Sequence, residues 1–294
     1  MATDRSAPPM SPADTLRALL IGQEMMVISA CYDALSAKLI EAAGMPATFM
    51  SGFGVAATRL GLPDTGLISY GEMVAQGRNI CSAVDIPVLG DGDTGFGNPL
   101  NIKRTVRGYR QAGFACIMIE DQVMPKRCGH TAGKAVVDRK EAFQRIQAAV
   151  DARTEGADIL IMARTDARAG HGLKEAIDRC KGFVELGADI TFLEAPESEE
   201  EMHTYCREVP GPKMANLLEN GKTPLLPHKA LEEMGFKIAV YPLTLLNVSV
   251  KAMQQALACL KRGAPVPELM DFKSLREIVG FDAYDEELDA YKNR

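Results

Sequence analysis

The sequence predicts an α/β fold, a (β/α)8 TIM barrel with an extra C-terminal helical arm. The 294 residues are 47% hydrophobic and 24% charged, which supplies enough apolar material for one large core. Eight short apolar segments alternate with longer amphipathic ones, and no change in composition divides the chain. The apolar segments lack strict alternation, as expected for parallel strands that are covered on both faces.

The eight apolar segments are the predicted strands. They lie at residues 25–29, 47–50, 87–93, 115–121, 158–166, 189–195, 213–218 and 237–243. Helical periodicity predicts the intervening helices at residues 33–44, 70–84, 101–113, 138–154, 173–187 and 198–209. Four segments end in a glycine that precedes a short loop and the next strand, as helix C-caps do: Gly44, Gly113, Gly187 and Gly235.

The two ends of the chain depart from this repeat. Residues 1–12 are polar and proline-rich and are expected to form a mobile arm. Residues 244–294 predict a barrel-closing or swapped helix followed by an arm that is too short to be a domain and needs another surface, such as an oligomer provides. We therefore expect a single domain over residues 1–294. A doubly wound open sheet is the alternative, but no glycine-rich dinucleotide fingerprint follows the first strand.

Charge and cysteine content exclude several classes of protein. A net charge of −6 disfavours nucleic acid and anionic membranes as partners, because both need a basic surface. No apolar stretch approaches the ~20 residues that span a bilayer, and the N-terminus lacks a signal-peptide pattern. The seven cysteines are scattered without a C-x-x-C pair, which disfavours a disulfide framework and structural zinc and predicts a cytoplasmic protein.

An acidic, glycine-rich sequence ends the third predicted strand. Function in such barrels gathers at the carboxyl ends of the strands. Asp91 and Asp93 are two residues apart, so on a strand their side chains face the same side. Two carboxylates so close repel each other unless a cation or protons lie between them, and hard oxygen ligands favour Mg²⁺, with Mn²⁺ as a substitute. The alternative is a turn with solvated charges.

The fourth strand leads from Glu120 into a long loop at residues 126–137. The loop begins with Lys126, Arg127, Cys128, Gly129 and His130. Its cations, thiol, histidine and glycines are typical of a mobile lid over a site. Nearby cations favour the thiolate of Cys128 and nearby carboxylates favour the thiol, so its resting form stays open. The alternative is a surface loop with an incidental cysteine.

Other strand ends supply groups that suit an anionic substrate. Arg164 ends the fifth strand and can clamp a carboxylate or phosphate, or neutralise the acidic groups internally. Glu194 and Asn216 end the sixth and seventh strands. The Ser51-Gly52 turn after the second strand can donate backbone hydrogen bonds to a carboxylate. No histidine base accompanies Ser51 in a recognisable motif, which disfavours a serine hydrolase.

Several of these segments resemble the isocitrate lyase / phosphoenolpyruvate mutase superfamily. The matching segments are SGFGVAATRLGLPD, DGDTGFGNPLN, IEDQ, PKRCGH, GKAV, ARTDA and EAP. The resemblance covers roughly residues 20–260, and K-R-C-G-H is its most specific part. The chain is similar to the methylisocitrate lyase and 2,3-dimethylmalate lyase (petal death protein) types, and ANLLENGKTPL and EMGFKIAVYPLT favour the second.

The resemblance implies roles for particular residues in a Mg²⁺-dependent reaction. Asp91 and Asp93 would bind the ion, with Asp64 and Glu120 supporting its water shell. The implied substrate-binding residues are Ser51, Gly52, Phe53, Gly129, Arg164, Glu194 and Asn216. Cys128, His130 and Arg164 are the implied catalytic residues. Family members are usually homotetramers that exchange their last barrel helix.

The implied chemistry is a retro-aldol cleavage of a 2-hydroxy-dicarboxylate. A base removes the 2-hydroxyl proton, the C2–C3 bond breaks, and Cys128 as a thiol of ordinary pKa ~8.5 protonates the departing carbon. Related lyases carry a tyrosine, linked with base chemistry, where this chain has Phe49. The base is therefore unassigned, and methylisocitrate is disfavoured as the substrate.

The sequence also allows functions other than a lyase. Oxaloacetate hydrolysis or decarboxylation shares the cysteine loop, whereas the phosphonate P–C mutases and hydrolases of the superfamily generally lack this cysteine. A non-catalytic barrel that binds carboxylates is the alternative from another class.

Overall fold

The computed structural model describes residues 10–129 and 133–292. The chain divides into two compact units, Met1–Thr244 and Leu245–Arg294. The described part of the first unit contains every strand, and that of the second unit is helical. Whether residues 1–294 fold as a single domain stays a prediction.

Eight parallel strands form the first unit's sheet. They are β1 (Met26–Cys31), β2 (Thr48–Met50), β3 (Val88–Asp91), β4 (Cys116–Glu120), β5 (Leu160–Thr165), β6 (Ile190–Leu193), β7 (Met214–Asn216) and β8 (Ile238–Tyr241). Their order is β6-β5-β4-β3-β2-β1-β8-β7, and a parallel bridge between Thr191 and Lys213 joins the two outer strands. The sheet is therefore a nearly closed barrel, and the predicted (β/α)8 fold is confirmed.

Helices connect the strands. The first unit contains α1 (Pro12–Ile21), α2 (Ala34–Ala42), α3 (Gly52–Val55), a π-helical turn (Ala56–Leu60), α4 (Tyr70–Cys81), α5 (Pro99–Ala112), α6 (Arg139–Thr154), α7 (Arg168–Glu185), α8 (Glu199–Glu208) and α9 (His228–Met234). The four glycines predicted to end helices all have positive φ, as C-cap positions require.

Helix α1 corrects the prediction for the end of the N-terminal arm. The Ser11 hydroxyl accepts a hydrogen bond from the Asp14 N–H at 3.1 Å, and Pro12 occupies the first helical turn. A serine N-cap with a proline behind it is a strong helix start, and the expectation of an arm overlooked it. Ser11 and Pro12 therefore belong to a helix, while residues 1–9 lie outside the described part of the chain.

The interior of the barrel is filled from one end by α1. Ala13 and Leu16 of this helix belong to the same buried cluster as strand residues such as Ile28, Met118 and Ile238. Arg17 also pairs with Asp158, just before β5, at 2.8 Å. Helix α1 thus covers the amino-terminal ends of the strands, and the opposite ends are left for the site.

The second unit consists of helices with exposed apolar side chains. Helix α10 (Thr244–Lys261) begins at the last residue of the first unit and is followed by α11 (Phe272–Val279) and α12 (Phe281–Lys292). No described residue of these three helices is buried. The exposed large side chains include Val248, Met253, Leu257, Leu260, Phe272, Leu275, Phe281, Tyr284 and Leu288. Among the described residues, no helix has the length and apolarity to cross a membrane.

Candidate active site

The carboxyl ends of the strands surround a cavity of about 60 Å³. Nine of the predicted site residues line it: Ser51, Phe53, Asp64, Asp91, Cys128, Gly129, Arg164, Glu194 and Asn216. Gly52 and Asp93 contact Asp91, and Glu120 contacts Arg164, so these three residues adjoin the cavity. These nine residues lie in separate segments of the sequence, so the barrel fold brings them together and local spacing does not. His130 lies outside the described residues.

Asp91 organises the ends of β2 and β3. Its Oδ2 accepts from the Gly52 N–H at 3.1 Å, and its Oδ1 accepts from the Asp93 N–H at 3.0 Å. The Tyr109 hydroxyl donates to the Asp91 carbonyl at 2.6 Å. A Cβ on Gly52 would lie 2.5 Å from Asp91 Oδ2, so any other residue here would displace the Asp91 carboxylate. The Gly52 N–H, which the resemblance assigned to substrate, donates to Asp91 here.

A buried lysine balances the acidic residues. Lys126 Nζ lies 2.5 Å from Asp64 Oδ1 and 2.7 Å from Asp93 Oδ1. Burial opposes the charge of Lys126, but the carboxylates, led by Asp93, outweigh burial and raise its pKa well above the ordinary value. The sequence showed Lys126 only as one cation of a loop. Its position among acidic strand ends depends on the path of that loop.

Asp93 combines burial with an unusual backbone. Its φ is 47°, in the left-handed region that residues other than glycine rarely adopt. It is 1% exposed, and burial raises the pKa of its carboxyl group to about 6; Lys126 opposes the rise, and Asp91 and Asp64 add to it. A strained, buried carboxyl group of this kind is typical of a functional position.

The acidic groups fit a divalent cation that is held by few side chains. Asp93 Oδ2 and Glu120 Oε1 are buried and have no hydrogen-bond partner among the described residues, which is costly for a carboxylate in a folded protein. Within residues 10–129 and 133–292, no three His, Cys, Asp or Glu side chains converge closely enough to ligate one ion. The unpartnered carboxylate oxygens are ligands of the type that Mg²⁺ takes, one or two at a time together with several waters.

Arg164 is held by acidic groups around its guanidinium. Its Nε lies 3.2 Å from Glu120 Oε2 and 2.8 Å from Asp166 Oδ2, and its Nη2 lies 3.2 Å from Glu194 Oε2. The guanidinium carbon lies 5.1 Å from the centre of the Phe192 ring, a cation–π distance. The internal ion pairs that the sequence left as an alternative for Arg164 are therefore present, and they fix the orientation of its donors.

Asn216 and Asp166 complete this group. The Asn216 amide nitrogen lies 3.4 Å from both carboxylate oxygens of Glu194. Burial would raise the pKa of Asp166, but Arg164 and Lys134 outweigh burial and lower it to about 2. Asp166 is therefore charged throughout the neutral range, and Arg164 keeps its partner there.

The loop that carries Cys128 packs directly against this group. A Cβ on Gly129 would lie 2.6 Å from Arg164 Nη2 and 2.6 Å from Glu194 Cδ, so any other residue here would displace these two side chains. The Gln122 side chain holds the start of the segment, because it donates to the Arg127 carbonyl and accepts from the Arg127 N–H, both at 2.9 Å. Cys128 follows at once and lines the cavity.

Comparisons with known proteins identify the family of this chain. The family model for phosphoenolpyruvate phosphomutase matches residues 16–261. The chain belongs to this family. It is 43% identical over 277 residues to 2,3-dimethylmalate lyase of Eubacterium barkeri, covering 93% of this chain and 96% of the relative. It is 37% identical over 277 residues to 2-methylisocitrate lyase of Halalkalibacterium halodurans, covering 93% and 91%.

A solved structure gives the same result for the fold. Oxaloacetate acetylhydrolase in complex with 3,3-difluorooxalacetate superimposes with a TM-score of 0.92 at 33% identity, covering 96% of this chain and 97% of that chain. The predicted superfamily is thus confirmed. The predicted lyase activity agrees with the names of the two relatives in sequence, and the rival hydrolase is also a relative in structure.

Phe49 bears on the base that this family member would use. The side chain lines the cavity at the end of β2 and is 6% exposed. A phenyl ring has no proton acceptor, so a base at this position is absent and must come from another group or from water.

A buried ion pair lies directly behind Arg164. Asp121 accepts from the Thr165 hydroxyl at 2.6 Å, from the Asp166 N–H at 2.9 Å and from Arg179 Nη1 at 2.9 Å. The Arg179 side chain is 4% exposed and that of Asp121 is 1% exposed. Replacement of Arg179 by methionine leaves an unpaired buried carboxylate.

We expect Arg179→Met to lower the free energy of unfolding by about 3–5 kcal/mol, since this is the usual cost of breaking a buried pair. Urea denaturation followed by circular dichroism measures it. Arg207→Met is the matched control, because Arg207 is 70% exposed and such changes stay within about 0.5 kcal/mol. Equal stability of the two variants would show that Asp121 does not depend on Arg179.

Proposed function

We propose that this protein is a Mg²⁺-dependent carbon–carbon lyase that cleaves a 2-hydroxy-dicarboxylate, with a 2-alkylmalate as its substrate class. One observation carries the proposal. Cys128, Arg164 and the buried carboxyl groups meet in a single cavity, so a proton donor, a carboxylate clamp and a cation site face the same bound molecule. The two lyases among its relatives support it.

Asp91 and Asp93 would hold the cation, with Asp64 and Glu120 supporting its water shell. The unpartnered oxygens of Asp93 and Glu120 support this assignment. So does the charge around the cavity: Lys126, Lys134 and Arg164 are the cationic side chains that interact with six buried acidic groups there, Asp64, Asp91, Asp93, Glu120, Asp166 and Glu194. Bound there, Mg²⁺ or Mn²⁺ would supply Lewis-acid stabilisation of the 2-oxygen and its carboxylate.

The chain's own residues would orient the substrate and move protons. Arg164 offsets the charge that accumulates on the substrate oxygens. The 2-hydroxyl gives its proton to water or to another base, and its oxygen forms the keto group at C2. The C2–C3 bond breaks with the bonding pair on C3, and the Cys128 thiol donates its proton to C3. With 2,3-dimethylmalate the products are pyruvate and propionate, and the Cys128 thiolate regains a proton before the next turnover. Ser51, Gly52, Phe53, Gly129, Glu194 and Asn216 would position the substrate.

The remaining wall of the cavity favours an alkylated substrate. Apolar side chains from the β7 and β8 side line it: Met214, Leu218, Val240, Pro242 and Leu243. Each methyl group that leaves water for such a wall gains roughly 0.8 kcal/mol. Oxaloacetate has no methyl group to place there, so the wall favours 2-alkylmalates over the substrate of the rival hydrolase.

A product screen tests the proposed function. The protein is incubated with Mg²⁺ and 2,3-dimethylmalate, other 2-alkylmalates, methylisocitrate or oxaloacetate, and pyruvate release is coupled to lactate dehydrogenase. We expect pyruvate from 2,3-dimethylmalate, and a malate with a longer alkyl group on C2 should release the corresponding 2-oxo acid. Oxalate plus acetate from oxaloacetate as the sole products would establish the hydrolase, and pyruvate plus CO2 would establish a decarboxylase. Oxalate binding without turnover of any compound would indicate a non-catalytic barrel.

Mg²⁺ binding is expected to weaken as the pH falls through about 6. The pKa of Asp93 is raised to about 6 by burial, so below this pH a proton occupies the carboxyl group and must leave before the ion binds. The apparent Kd then rises about tenfold for each pH unit, as for one displaced proton. Calorimetric titration with MgCl2 between pH 5 and 8 measures it, and a Kd constant over this range would contradict it.

We also propose a homotetramer that exchanges its C-terminal helix. The exposed apolar side chains of α10, α11 and α12 support it, because monomers rarely expose so many together. Light scattering coupled to size exclusion is expected to give four times the mass of 31.8 kDa, and a monomer would contradict it.

None of the seven cysteines, all of them in the described residues, forms a disulfide. This supports a cytoplasmic location, and the acidic net charge supports the absence of nucleic-acid and membrane partners.

A further inference from the structure

The loop that carries Cys128 is closed by a short antiparallel stem. The Val123 N–H donates to the Ala135 carbonyl at 2.8 Å, and the Val137 N–H donates to the Asp121 carbonyl at 2.9 Å. The backbone on both sides of the loop is therefore fixed to the end of β4. Lys134 immediately precedes this stem, so its position is set by the barrel.

The side chain of Lys134 reaches back across the loop to the segment that holds the thiol. Its ammonium donates to the Gly129 carbonyl and, at 2.7 Å, to Asp166 Oδ1. The side chains of Lys134 and Asp166 are 3% and 0% exposed. A lysine loses its hydration when it is buried this deeply, and these two acceptors replace the lost water.

Asp166 connects this contact to the substrate clamp. Its Oδ1 accepts from both Lys134 and, at 3.1 Å, Arg164 Nη2, and its Oδ2 accepts from Arg164 Nε at 2.8 Å. Its own N–H is bound to Asp121 at 2.9 Å. Because Asp166 is held from three sides, the lysine that binds it is a fixed donor. The Gly129 carbonyl is thus tied to the same carboxylate that orients Arg164.

We propose that Lys134 is a positioning residue that fixes the Cys128–Gly129 segment against Asp166, and so sets the place of the thiol relative to Arg164. Cys128 directly precedes Gly129, so a shift of the Gly129 carbonyl moves the thiol as well. A misplacement of about 1 Å can cost 10²-fold in rate. The kinetic part of this inference rests on the proposed lyase function, and the geometric part does not.

Three variants test the role of Lys134. Lys134→Met removes the charge and the donors, Lys134→Arg keeps both, and Lys140→Met removes an equal charge from an exposed position on α6. The first measurement is the rate at which iodoacetamide modifies Cys128, followed by peptide mass spectrometry over a range of pH. The second is the split between kcat and KM on the 2-alkylmalate that the wild type turns over.

We expect Lys134→Met to modify Cys128 at least fivefold faster at the high-pH plateau, because the released segment exposes the thiol. We expect its kcat to fall about 10²-fold with KM within threefold of the wild type. Lys134→Arg should recover most of both values, and Lys140→Met should match the wild type. Circular dichroism checks the fold, and Lys134→Gln, which keeps a neutral donor, replaces the methionine variant if that variant does not fold.

Wild-type values for Lys134→Met in both measurements would overturn the proposal. So would a Lys134→Arg protein of normal stability that is as impaired as Lys134→Met, because the charge and the donors that arginine keeps would then not be what positions the segment. A wild type that turns over no malate would remove the proposed function alone, because the modification rates of Cys128 still decide the role of Lys134.

Discussion

Cys128→Ala is expected to lower kcat for 2-alkylmalate cleavage by about 10³-fold, the middle of the range for loss of a positioned general acid. The carbon leaving group then has to take its proton from water, which is not a positioned general acid. KM should change little, because Arg164, which would bind the substrate oxygens, and the acidic residues that would hold the cation are untouched. The coupled pyruvate assay measures both constants.

Cys259→Ala is the matched control, because it removes a thiol from the second unit. In D2O the wild type should deliver deuterium to one face of C3 and give a single stereoisomer of labelled propionate. Cys128→Ala should give a mixture in whatever product it still forms. A variant with wild-type kcat and unchanged stereochemistry would assign the proton to another donor.

Asp93→Asn is expected to have the second largest effect, a loss of Mg²⁺ affinity of at least 10²-fold with a parallel loss of kcat/KM. The substitution keeps the shape of the side chain. It removes the negative charge and exchanges one of the two carboxylate oxygens, which include the unpartnered Oδ2, for an amide nitrogen. Ligands that act through water give smaller losses, of about 10- to 100-fold. Asp64→Asn therefore serves as the graded comparison, and calorimetry with MgCl2 measures both variants.

Thermal melting of the metal-free protein separates metal binding from folding. The buried Asp93 carboxyl group has a raised pKa, so its ionised form destabilises the folded state at neutral pH without a cation. Asp93→Asn should melt no lower than the wild type without Mg²⁺, and it should lose the stabilisation that Mg²⁺ gives the wild type. Equal stabilisation of the two proteins by Mg²⁺ would place the ion elsewhere.

The fold was predictable because its strands carry a continuous apolar signal. Parallel strands covered on both faces are mostly apolar along their whole length, and each of the eight predicted segments overlaps an observed strand. Helices α1, α3 and α12 were not predicted as separate helices, and α9 was predicted only through Gly235 at its end. Helix α9 has only seven residues, which is a short stretch for helical periodicity. The apolar face of α1 packs only in the folded barrel, where Leu16 fills one end of the interior.

The candidate site was predictable only where the fold rule applies. Asp91, Glu120, Arg164 and Glu194 end strands, and in a barrel this alone brings them together. The contacts of Lys126 and Lys134 follow no such rule, because both residues lie in a loop without periodicity. Their partners depend on how the loop folds back, and the sequence showed only that cations were present.

Because helix α1 closes one end of the barrel, the interior opens only at the carboxyl ends of the strands. Since Leu16 and its neighbours fill the amino end of the interior, nothing passes through the barrel. Reactant and both fragments have to share the mouth beneath the Cys128 segment.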